Sequence, residues 1–142
     1  MKIVISNDHA AVEFKKNLSV FIKEEFPDAV VTTMGSMGES GDYPTFALEA
    51  VLTVKAGEND LGILLCGSGA GMCMTANKIE GIRAVVCSEP YTARLARQHN
   101  NAQILCLGAR VVGEELAKDI VKAFINAKFE GGRHQKRIEM ME

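Results

Sequence analysis

Residues Leu61–Met74 read LGILLCGSGAGMCM. A short, almost continuously apolar run, Leu61–Cys66, meets glycines at 67, 69 and 71, and a helical pattern continues from Met72 to Ile79. An apolar run of that length is the pattern of a strand buried on both faces. A glycine turn that opens a helix directly after it predicts a strand–turn–helix unit of a parallel α/β sheet.

The same alternation extends outward in both directions. KIVISN (2–7), AVVTTMG (29–35), IRAVVC (82–87) and ILCLGA (104–109) are further runs rich in Val, Ile and Leu. Amphipathic stretches separate them. Phe14, Leu18, Phe21 and Ile22 fall at helical spacing within 10–26, and Pro27 stands just beyond. The segment 43–57 has Asp42 as candidate N-cap and Pro44 in its first turn. A fourth helix follows Pro90 through YTARLARQ. A fifth covers 113–128, with Leu116, Ile120, Phe124 and Ala127 on one face. Strands and helices alternating this way predict right-handed crossovers: a single Rossmann-like α/β domain with a five-stranded parallel sheet and helices on both faces. The tail GGRHQKRIEMME is the one compositional break.

The 142 residues suit one domain, 1–142, large enough to bury a core. A net charge of −2 supplies no global basic field for nucleic acid or an anionic membrane, so neither is an expected partner. The apolar run before Asn7 is too short for a signal peptide or a membrane span, and a cytoplasmic location is expected. Cys66, Cys73, Cys87 and Cys106 form no C-x-x-C pair, and the histidines show no zinc spacing, so the cysteines are expected as free thiols and no metal is expected. Cys73, Cys87 and Cys106 read as small buried hydrophobes.

Ligands of open parallel sheets bind beyond the carboxyl ends of the strands, where strand order reverses. Asp8 and His9 follow the first strand; Cys66 and the glycines follow the third. A Walker loop is rejected, because its Lys and Ser/Thr are absent. A dinucleotide loop needs G-x-G-x-x-G, but Met72 stands where the last glycine belongs, although Glu89 sits near the position of a ribose-binding acid. The third reading is an anion cradle of backbone N–H groups beside a reactive thiol. Cys66 is then either a buried strand-end thiol or a base whose thiolate the helix N-terminus stabilises. His9 is an ordinary turn residue or a ligand contact. His99 is a solvated helix end or an acid. Arg133, His134, Lys136 and Arg137 are a solvated tail or an anion site. A thiol base, a histidine acid and paired arginines together suit proton transfer on a phosphorylated substrate.

The stretches SNDHA, GDYPTFA, GILLCGSGAGM, ANKIEGIRAVVCSEPYTARLARQHNNA, LGARVVG and FEGGRHQKR, in this order, resemble the ribose-5-phosphate isomerase B family, which includes allose- and galactose-6-phosphate isomerases. The resemblance implies a cofactor-independent aldose–ketose isomerase for D-ribose 5-phosphate and D-ribulose 5-phosphate. Within it Cys66 is the base, the turn of Gly67, Ser68, Gly69, Ala70 and Gly71 holds the enediolate oxygen, and His99 is the acid that helps open the ring. Asp8, His9 and Asn100 are sugar or phosphate contacts, and Arg110, Arg133 and Arg137 are ligands of the phosphate. Many members carry threonine at Ser68; serine keeps the hydroxyl that assists ring opening. Galactose-type relatives generally lack the cysteine, and GMCMTAN holds no carboxylate to replace it as base. The resemblance also implies a homodimer, alone or paired into a tetramer, in which tail 130–142 reaches the partner's site. The alternatives are a six-carbon substrate such as allose 6-phosphate, or a nucleotide-binding or redox-sensing module built on the same turn.

Overall fold

Side-chain alternation in the central strands decides where each helix packs. In β1 (Lys2–Asn7), Ile3 and Ile5 point to one side of the sheet and Val4 to the other. In β3 (Leu61–Cys66), Leu61, Ile63 and Leu65 share the first side, while Leu64 and Cys66 share the second. In β5 (Ile104–Gly108), Leu105 and Leu107 oppose Ile104 and Cys106. Strands apolar on both sides need a helical layer on each. The first layer is α1 (Val12–Glu25), α4 (Pro90–Gln98) and α5 (Glu114–Asn126); the second is α2 (Tyr43–Lys55) and α3 (Ala70–Ala76). The computed structural model describes all residues from Met1 to Glu142.

The sheet is wholly parallel, in the order β2-β1-β3-β5-β4, where β2 is Val30–Thr33 and β4 is Ala84–Val86. The chain moves outward from β1 to β2, crosses back past β1 to β3, continues to β4, and returns to β5. Each reversal of direction is matched by a change of helical layer, so all four crossovers keep one hand, as right-handed strand twist requires. Strand order switches between β1 and β3, which places a crevice beyond their carboxyl ends. No helix is long and apolar enough to cross a membrane.

Several boundaries differ from the sequence expectation. The outer strands β2 and β4 are half-exposed, because each is an edge strand. The second strand is also shorter than AVVTTMG. The third helix starts at Ala70, inside the glycine run as expected, but it ends at Ala76 rather than Ile79, where Asn77 turns to pair with the free edge of β4. Asn77 donates to the Ala84 carbonyl at 2.9 Å and accepts from the Ala84 N–H at 2.8 Å, as a neighbouring strand would. The buried face of α5 is Ala117, Ile120, Val121, Phe124 and Ile125, whereas Leu116 is exposed and Ala127 lies past the helix end. Asp42 occupies the N-cap position of α2 without a side-chain cap bond. The tail forms a sixth helix, α6 (Arg133–Met141), pinned to its own chain by buried His134 and Ile138. All four cysteines are buried free thiols.

Candidate active site

The crevice at the strand switch is a cleft of ≈ 600 Å³. From β1 comes Asp8, largely buried, whose N–H donates to the Leu65 carbonyl at 3.0 Å and whose carboxylate accepts from the Ala10 N–H at 2.9 Å. That cap bond opens a 3-10 turn, His9–Ala11. From β3 comes Cys66, only 5% exposed. The Gly69 N–H donates to its sulfur at 3.1 Å. The helix α3 has seven residues, and this backbone donor at its start is the sulfur's direct polar contact. Ser68 is exposed, and its Oγ accepts from the Ala70 N–H at 3.2 Å. Arg110 reaches over the turn from beyond β5, with its N–H donating to the Gly67 carbonyl at 3.0 Å.

Two glycines make this turn possible. Gly69 sits at φ +82°, where a Cβ would lie 2.9 Å from the Leu107 carbonyl carbon. Gly108 lets the turn ride on β5: a Cβ there would lie 2.6 Å from the Ser68 carbonyl oxygen. Gly71 meets the Tyr43 ring from the start of α2.

Of the residues singled out in the sequence, Asp8, Cys66, Gly67, Ser68, Ala70, Gly71 and Arg110 line this one cleft, and Gly69 supports it from beneath. His9 is exposed on the turn beside Asp8 and does not line it. Tyr43, Met74 and Val111 complete the wall and were missed. Tyr43 lies within GDYPTFA, where it reads as part of a helix start; Met74 and Val111, each 62% exposed at the rim, carry no group that marks them as site residues in the sequence. Glu89, the candidate ribose acid, is committed elsewhere: its carboxylate caps α4 by accepting from the Thr92 N–H at 2.9 and 3.1 Å. A hydrogen bond from the Thr92 side chain, and then that from its N–H, hold the Glu89 carboxyl below the usual carboxylate range.

His99, Asn100, Arg133 and Arg137 belong to a different region. The helix α4 runs antiparallel to the strands and ends at the amino end of β5, so His99 and Asn100 lie at the opposite end of the sheet from Cys66. A five-residue strand such as β5 separates them by on the order of 15–20 Å. The His99 ring stacks on His134 of α6, with centroids 4.1 Å apart and planes within 9°. Glu130 faces both, its carboxylate oxygen 3.8 Å from His99 Nε2 and 3.5 Å from His134 Nε2. Burial, then the charges of His99 and Arg133, hold the His134 imidazole below its usual range. Arg133 and Arg137 project outward from α6, and neither they nor Arg110 pair with a carboxylate of the chain. The chain turns at Asn101, the one non-glycine residue at positive φ (46°). Arg83 fastens this turn: its guanidinium donates to the Asn100 carbonyl at 2.8 Å, to the Asn101 carbonyl at 3.1 Å, and to the carboxylate of Glu142 at the end of α6.

The chain matches the family model described as Ribose/Galactose Isomerase over residues 3–141. It is 48% identical over 138 residues to ribose-5-phosphate isomerase B of Escherichia coli (strain K12), covering 97% of this chain and 92% of the relative. The solved structure of Clostridium thermocellum ribose-5-phosphate isomerase B superposes with a TM-score of 0.95 at 46% identity, covering 99% of this chain and 95% of that one. The Mycoplasma genitalium ribose-5-phosphate isomerase B, solved with bound ribulose 5-phosphate, superposes with a TM-score of 0.91 at 42% identity, covering 99% and 93%.

Proposed function

This chain belongs to the ribose/galactose isomerase family, and from that premise we propose that, as a sugar-phosphate isomerase, it interconverts D-ribose 5-phosphate and D-ribulose 5-phosphate with Cys66 as the base. The observation that carries the reading is the Cys66 sulfur. It sits at the end of β3, 3.1 Å from the Gly69 N–H, in a cleft shared with Asp8, Ser68 and Arg110.

The chemistry follows from those groups. The thiolate takes the proton from C2 of the open-chain aldose. The C2–H electron pair becomes the C1–C2 double bond, and the carbonyl pair moves onto O1. Backbone N–H groups of the 67–71 turn face the charge that develops there; losing one such donor typically costs about 3–4 kcal/mol of transition-state stabilisation in other enzymes. The thiol returns its proton to C1 while the O2 proton passes to O1, which leaves the ketose and the regenerated thiolate. Arg110 supplies charge-assisted hydrogen bonds to the substrate's anionic end. Proton removal at C2 asks for no group beyond these side chains and backbone donors.

The second half of the reading is that the site is shared between copies. His99, Asn100, Arg133 and Arg137 lie a strand's length from Cys66 of their own chain, too far to act on a five-carbon substrate held there. In a two-fold dimer, the amino-end cluster of one subunit faces the cleft of the other, so His99 opens the ring and the tail arginines grip the phosphate.

Turnover on ribose 5-phosphate and allose 6-phosphate tests the substrate, and Cys66→Ala tests the base. Ribose 5-phosphate is expected as the better substrate by kcat/KM. Cys66→Ala abolishes turnover while sugar-phosphate affinity persists, and Cys73→Ala leaves turnover largely intact. Preference for the six-carbon sugar would overturn the first assignment, and near-normal turnover of the Cys66 variant the second.

A further inference from the structure

We propose that His134 is a positioning residue for His99: its ring is a fixed plate on which the ring-opening acid is oriented. The inference rests on the assignment of His99 to ring opening.

The geometry points to a specific arrangement. His99 comes from the end of α4 and retains about a third of its surface, with 35% side-chain exposure; His134 lies beneath it with 8%. Rings 4.1 Å apart and parallel within 9° leave the upper imidazole little freedom to rotate. The Glu130 carboxylate, facing Nε2 of both rings, defines which edge of each imidazole points toward charge. Glu130 is itself tethered to α4, because its N–H donates to the Gln98 carbonyl at 2.9 Å. The plate cannot drift, since Ile138 is buried one turn along α6 and Arg83 ties Glu142 to the turn that follows His99. A His134 held below its usual range stays neutral, so it stacks without adding a second positive charge beside His99.

Two imidazoles and a carboxylate are also the donor set of many zinc sites. The stack argues against that use. Ring lone pairs lie in the ring planes, and these planes are parallel and separate, so an ion in line with one nitrogen lies off the line of the other. Orientation of an acid is the role that the observed geometry serves.

The test separates ring opening from proton abstraction. Exchange of the C1 proton of ribulose 5-phosphate with D2O, followed by NMR, needs only the base and the enediolate. Isomerisation of cyclic ribose 5-phosphate also needs the ring opened. His134→Ala should slow isomerisation by between about tenfold and a hundredfold, the cost of a misplaced catalytic group. It should leave the C1 exchange rate and the KM for both sugars near wild type. His134→Phe, which restores a flat ring without a titrating nitrogen, should recover most of the isomerisation. His134→Gln, which fills the space without a stacking ring, should not, and it carries the same test should the alanine variant fail to fold. Unchanged isomerisation would overturn the proposal. So would parallel loss of exchange and isomerisation, or a raised KM, which would mean that His134 only holds α6 and its arginines in place. His99→Asn distinguishes the underlying reading: if it too leaves the ratio of isomerisation to exchange unchanged, ring opening does not belong to His99.

Discussion

At the scale of single residues, the turn after β3 is governed by backbone geometry that only glycine supplies. Gly69 must hold φ +82° and lie against the Leu107 carbonyl carbon, and in doing so it aims its N–H at the Cys66 sulfur. Gly69→Ala therefore meets two penalties. The left-handed conformation costs roughly 1–2 kcal/mol for a residue with a Cβ. The 2.9 Å approach to backbone forces the turn outward besides. Stability by denaturant unfolding should fall by at least 1 kcal/mol or so. Turnover should fall more than affinity, since the displaced N–H no longer holds the Cys66 sulfur in place. Gly113→Ala is the control, because a Cβ there meets nothing within 4 Å. Equal behaviour of the two variants would remove the constraint. Cys66, Gly67, Gly69 and Gly71 were legible in the sequence because a strand end, a turn and a helix start are local demands. Gly108 was not, because its reason, a 2.6 Å approach to Ser68, comes from residues forty positions away.

At the scale of elements, the continuous apolar runs revealed the strands, but not which of them stand at the edge. The runs 29–35 and 82–87 read like the central strands, yet β2 and β4 border the sheet. The free edge of β4 is managed by α3, through Asn77 and through Cys73. Hydrogen bonds from the Cys106 thiol, and then from the Val86 N–H, pull the Cys73 thiol down to about 7 against its burial. Cys87, just past β4, goes the other way: burial, then the negative charge of Glu89, pushes it up to about 12. The signs give a measurable profile. Unfolded, both thiols titrate near 9.0. Cys73 has its proton removed earlier in the fold, so its contribution to stability grows between about pH 7 and 9. Cys87 keeps its proton in the fold while the unfolded chain releases it, so its contribution is present below pH 9 and lost as pH rises toward 12. Unfolding free energy should drop between pH 9 and 11, and Cys87→Ala should remove up to about 2 kcal/mol of that drop. A variant whose alkaline limb overlays the wild type would show that Cys87 does not titrate in this way. The helix α6 escaped detection because only His134 and Ile138 mark its buried face among nine residues.

At the scale of the whole molecule, the candidate cleft could be read from strand-end positions alone, whereas the cluster at the opposite end of the sheet joins it only in the dimer we propose. Asp8, Cys66, the glycine turn and Arg110 converge because β1, β3 and β5 are neighbours. His99, Asn100, Arg133 and Arg137 stay apart within the chain because α4 and α5 carry the backbone to the far end of the sheet before they end. No sequence pattern encodes the two-fold axis that the proposed sharing of the site requires. Symmetry supplies a decisive experiment, since under that proposal each site draws Cys66 from one chain and Arg137 from the other. Cys66→Ala and Arg137→Ala should each be inactive as homodimers. When the two are unfolded and refolded together, half of randomly paired dimers are mixed. In a mixed dimer one site combines both lesions and the other combines neither, so about a quarter of all sites should regain activity. If each tail served its own cleft, every site would carry one lesion, and activity would stay absent even where native mass spectrometry finds mixed dimers. That outcome would overturn sharing of the site and leave the assignment of Cys66 intact, because the thiol, the Gly69 N–H and Arg110 all belong to one chain.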